Sequence, residues 1–156
     1  MKQRGFTLVE LLLCVALVGV LASMAMPLAE LTVRRHQEAE LRRSLREIRE
    51  AIDAYKRAAD EGRIDRASDR SGYPASLSSL VEGVRDKTQP QGPRIFFLRR
   101  IPRDPLAVEA RGPAEATWAL RSYTSAADDF RGGPDVYDVR SQSTRIGLNG
   151  VPYAQW

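Results

Sequence analysis

The side chains that could do chemistry in this chain are few. There is one histidine, His36, and one cysteine, Cys14. Neither Gly-x-Ser-x-Gly nor His-Glu-x-x-His occurs, so the sequence offers no serine hydrolase or zinc constellation, and no catalytic residue is expected. His36 stands among charged residues and reads as solvated. Cys14 lies in an apolar run and reads as a small hydrophobe. The residue that stands out is Glu10, at the mouth of the uncharged run 11–29. A carboxylate in an apolar span costs roughly 2.5–3.5 kcal/mol on insertion scales and normally has a partner. If the chain is cut after Gly5, the new amine of Phe6 stands four residues before Glu10, on the same helix face one turn away. Ammonium and carboxylate could then neutralise each other, within one chain or between neighbours.

Stepping outward from Glu10, two plain readings compete for the N-terminus. One is a secretory signal peptide, with Lys2 and Arg4 as its charged start and Val20-Leu21-Ala22 as its cleavage site. The other is an uncut signal anchor oriented by the same two cations. Neither accounts for Glu10. From Phe6 the pattern predicts one helix of about 55 residues ending near Glu61-Gly62, on the order of 80 Å at about 1.5 Å per residue. Residues 6–29 would span a membrane, with Gly19 and Pro27 as points of kinking or loosening. Residues 30–61 form an amphipathic half. Leu41, Leu45, Ile48, Ile52, Tyr55 and Ala59 recur at 4-3-4-3-4 spacing, one apolar stripe of the kind that packs on a small sheet. A free coiled coil is the alternative, but the run is under three heptads.

Residues 62–156 read as a globular head. Ser76 is a candidate cap for a short helix carrying Leu77, Leu80 and Val81, and residues 83–94 read as loop. Thr117–Tyr123 and Val136–Ser141 are the strand candidates, joined by a glycine-bearing acidic loop over 126–135. Asn149-Gly150 marks a turn near the C-terminal end. At 156 residues the chain has room for one domain. Its formal charge of +4 and pI near 9.6 come from arginines mixed with carboxylates. No basic block with interleaved aromatics appears, so nucleic acid is not an expected partner. With its one cysteine in the apolar run, the head has no disulfide to hold it.

Arg-Gly-Phe-Thr-Leu-Val-Glu, residues 4–10, resembles the class III leader of type IV pilins and type II secretion pseudopilins. The resemblance implies cleavage between Gly5 and Phe6 by a membrane-embedded prepilin peptidase, N-methylation of Phe6, and a part for Glu10 in subunit assembly. Residues 1–5 would be leader. Three later segments sharpen the likeness to the major pseudopilin, the G-type subunit of type II secretion. They are Gly72-Tyr73-Pro74, the Ile-Pro-Arg-Asp-Pro core at 101–105, and the loop from Tyr123 to Val139. Leu106 departs from the tryptophan found there, and Ala126-Ala127-Asp128-Asp129 departs from a glycine-flanked aspartate.

The implied fold is α+β and pilin-like, a long N-terminal helix packed on a small antiparallel sheet. The implied place is the inner membrane, single-pass, with a periplasmic head. The implied partners are further pseudopilin copies in a filament and an inner-membrane assembly platform. The implied work is to drive protein export by assembly and motion, not catalysis. A type IV pilin or minor pilin for adhesion, motility or DNA uptake is the neighbouring reading, and a periplasmic binding module on a plain anchor is the remote one. In the family the acidic loop binds Ca²⁺, which takes hard oxygen ligands. By position Asp128, Asp135 and Asp138 are the candidates, against a solvated turn in which aspartates favour the bends.

Overall fold

A computed structural model of the chain describes residues 7–65, 71–89, 91–107 and 112–156; the side chains of residues 24–28 are not described. Gly5, Phe6, Lys2 and Arg4 therefore lie outside the described residues, as does the side chain of Pro27. The chain divides into two compact units, Met1–His36 and Gln37–Trp156. Residues 37–60 of the long helix thus belong to the same compact unit as the head.

The long helix, α1, spans Leu8–Asp60. Its start is set by Thr7, whose Oγ1 accepts the amide of Glu10 at 3.2 Å and whose carbonyl accepts Leu11 N at 3.1 Å, satisfying donors that a helix otherwise leaves orphaned. Its end is a Schellman motif. Gly62 adopts φ 71°, Gly62 N donates to Ala59 O at 3.1 Å, and Arg63 N donates to Ala58 O at 2.9 Å. In the first unit, the side chains of Leu8–Ser23 are all exposed. Among the described residues no helix is long and apolar enough to cross a membrane, and Leu8–Ser23 alone is shorter than the roughly 20 residues a span needs.

In the second unit, all six residues of the predicted stripe are buried, and Ala51 and Ala58 widen it. Against it pack Leu77, Leu80, Leu98, Leu106, Trp118, Val136, Val139 and Tyr153. Helix α2 is Ser78–Glu82. Ser76 does reach it, accepting Ser79 N at 3.3 Å, but the firmer cap is remote. Glu115 accepts the amide of Leu77 at 2.8 Å and the hydroxyl of Ser78 at 2.7 Å. Helix α2 gives way at Gly83, where φ is 74° and the ring of Phe96 lies 2.7 Å from where a Cβ would stand. The loop after it is more ordered than its composition suggested, since Val84 and Ile95 exchange backbone bonds of 2.9 and 2.8 Å.

Strands β1 (Trp118–Arg121) and β2 (Asp138–Ser141) form a two-stranded antiparallel sheet, with Trp118 opposite Ser141 and Arg121 opposite Asp138. Both are shorter than expected, for identifiable reasons. Thr117 closes a 3₁₀ turn over Ala114–Thr117, donating its hydroxyl to Ala114 O at 2.6 Å. Ser122 and Tyr123 are turned toward Asp135, and Val136 N leaves the ladder to bond Pro74 O at 2.8 Å. The α+β architecture of a long helix and a small antiparallel sheet is the one the sequence led us to expect.

Candidate functional site

Two regions carry the functional candidates, and each is described within its own unit. In the first, α1 presents an apolar surface on every side. Leu8 is 75% exposed, and Leu11, Leu13, Val15, Leu17, Val18 and Leu21 are each more than half exposed. Glu10 is the one charged residue from Leu8 to Ser23, and its side chain is exposed with its neighbours. The amide capped by Thr7 fixes where this residue enters the helix. An exposed apolar surface of this extent marks a place of contact with a membrane or another protein.

In the second unit the three motif segments converge on the sheet. Tyr73, from the first, stacks on Tyr123 with ring centroids 5.4 Å apart and meets Tyr137 edge-on at 5.1 Å. Burial, and then the neighbouring Tyr137, pushes the Tyr73 phenol above its ordinary value. Pro74 accepts the amide of Val136. In the Ile-Pro-Arg-Asp-Pro segment, Pro102 accepts the indole N–H of Trp118 at 2.8 Å. Asp104, 4% exposed, accepts Leu106 N at 2.8 Å through Oδ1 and the hydroxyl of Ser141 at 2.5 Å through Oδ2. Its amide in turn donates to Thr117 Oγ1 at 3.1 Å. Leu106, standing where the pseudopilin likeness has tryptophan, is buried in the core.

The three candidate aspartates of the acidic loop sit in different surroundings. Asp135 is 2% exposed and points inward, where its Oδ1 accepts Ser122 Oγ at 2.6 Å and Tyr123 N at 2.9 Å. Asp138 begins β2 and faces cations, with Arg49 Nε 2.9 Å from Oδ1 and Arg121 Nη2 3.6 Å from Oδ2. Asp128 is exposed at the loop's tip. Its neighbour Asp129 is held by Arg131, whose side-chain hydrogen bonds keep that carboxyl below the usual carboxylate range. Among the described residues no three His, Cys, Asp or Glu side chains are grouped closely enough to hold a metal ion. Of the three candidates, Asp135 is buried on protein donors, Asp138 faces guanidinium groups, and Asp128 is exposed.

Two residues that organise this unit escaped the sequence reading. Glu38 is 5% exposed, and its Oε1 accepts Leu148 N at 2.6 Å and the Tyr153 hydroxyl at 3.0 Å. It lies three residues before Leu41, in phase with the apolar stripe. A carboxylate at a core position was the available signal. Arg49 fans out to Asp138, to Val139 O at 3.0 Å and to Trp156 O at 2.8 Å. Nothing local marks it among the many arginines of α1.

Comparison with known proteins bears on both regions. A family described as the prokaryotic N-terminal methylation motif matches residues 1–26. A type II secretion system core protein G of Dickeya chrysanthemi is 31% identical over 69% of this chain and 66% of its own length. Its counterpart of the same name in Pectobacterium carotovorum is 29% identical over 67% of this chain and 62% of its own. For these two the matched stretch thus falls just short of two thirds of the relative. The protein of that name in Pseudomonas aeruginosa is 26% identical over 86% of this chain and 90% of its own length. No solved structure matches.

Proposed function

We propose that this chain, which belongs to the core protein G family of type II secretion pseudopilins, is a structural subunit of a periplasmic pseudopilus that drives protein export. The observation that carries the reading is the surface of α1 from Leu8 to Ser23, exposed on every side and apolar but for Glu10. An apolar helix of this kind is covered by lipid before assembly and by copies of itself after it. The matching methylation motif over residues 1–26 supports the same reading. In it, residues 6–29 anchor the chain in the inner membrane and the head stands in the periplasm. Other pseudopilin copies, the prepilin peptidase and an inner-membrane assembly platform are the partners. Glu10 receives the Phe6 ammonium of a neighbouring copy as subunits pack. The work of the chain is assembly, and the chemistry is done on it by the peptidase.

Processing tests this directly. Intact mass of the membrane-extracted protein should correspond to a chain that begins at Phe6 and carries one added methyl group. An uncut chain in a host with the peptidase, or a product beginning at Ser23, would overturn the reading.

A further inference from the structure

We infer that the loop from Ser122 to Asp138 is closed by built-in guanidinium groups in place of a divalent cation, so that the head folds and holds its shape independently of calcium. Calcium needs six to eight oxygen ligands converging on one point. Here three of the loop's four aspartates are already engaged. Asp138 offers one oxygen to Arg49 at 2.9 Å and the other to Arg121 at 3.6 Å. Asp135 turns its Oδ1 into the protein, onto Ser122 and Tyr123. Asp129 is bound at both oxygens by Arg131, at 2.7 and 2.9 Å. An ion entering this loop would have to displace those donors and would meet their positive charge.

The guanidinium groups also do the linking that an ion would do. Arg49 reaches from α1 to β2 and to the C-terminal segment, bonding Asp138, Val139 O and Trp156 O. Arg121 lies over the Tyr137 ring at 4.6 Å and over Phe130 at 5.6 Å. Arg140 covers Phe130 at 4.1 Å. Cations over aromatic faces are attractive, more so when partly shielded from water, and Phe130 thereby ties the loop's middle to both strands. A fixed guanidinium cannot be lost to a chelator.

The inference does not rest on the filament role, and its test reads the head alone. The full chain in detergent micelles is melted with calcium and with a chelator. Wild type should melt at the same temperature in both. Arg49→Gln should lower the melting temperature by several degrees, equally in both, and Asp128→Asn should leave it unchanged. Terbium serves as a second probe needing no variant, because tyrosines beside a bound lanthanide sensitise its emission. No emission displaceable by calcium should appear. A calcium-dependent rise in the wild-type melting temperature, or terbium emission that calcium removes, would overturn the inference.

Discussion

Asp104 shows how a residue can be conspicuous in sequence and still opaque. The Ile-Pro-Arg-Asp-Pro segment stood out, yet its aspartate works through Ser141, which is 37 residues away. No local pattern announces that bond. With Asp104 buried and accepting both a hydroxyl and an amide, truncation leaves donors without partners in the core. Each such group costs about 1–3 kcal/mol. Asp104→Ala should therefore destabilise the head by roughly 2–4 kcal/mol, read as an earlier midpoint in urea. Ser141→Ala should cost a comparable amount, because it leaves both Asp104 Oδ2 and the amide of Ser143 without their partner. Glu38 and Arg49 belong with it. All three are charged groups whose partners lie far along the chain, and that separation hid them.

At the scale of elements, periodicity was the reliable guide. The six stripe residues of α1 were legible because burial on one helix face must repeat every three or four positions, and all six are in the core. Helix α1 ends at Asp60, one residue before the expected Glu61-Gly62 boundary, because a glycine at positive φ closes it. The strands were harder. Their apolar alternation continues past the point where the ladder stops, since Asp135 captures Ser122 and Tyr123 and Pro74 captures Val136. Competition from a buried side chain and from a distant carbonyl is not written in strand propensity. The stripe itself yields a quantitative expectation. Ile48 and Ile52 are both fully buried, so Ile48→Ala or Ile52→Ala should each cost about 2–5 kcal/mol. A change at exposed Glu47, directly before Ile48 in the same helix, should stay within about 0.5 kcal/mol. Equilibrium unfolding of the three variants checks the contrast.

For the whole molecule, the central claim is that copies of this chain assemble through the apolar part of α1, with Glu10 receiving a neighbour's Phe6 ammonium. Membrane insertion does not need that carboxylate, and its removal makes an apolar segment easier to insert. What assembly needs is a partner for a charge that becomes enclosed, and stranding one member of a buried pair costs roughly 3–5 kcal/mol. Crosslinking between copies, in cells that carry the secretion apparatus, measures this directly for wild type and Glu10→Ala at matched membrane levels. The account predicts protomer–protomer crosslinks and secretion in wild type. In the variant it predicts normal leader cleavage with both crosslinks and secretion lost. Glu10→Ala copies that still crosslink and still support secretion would contradict it.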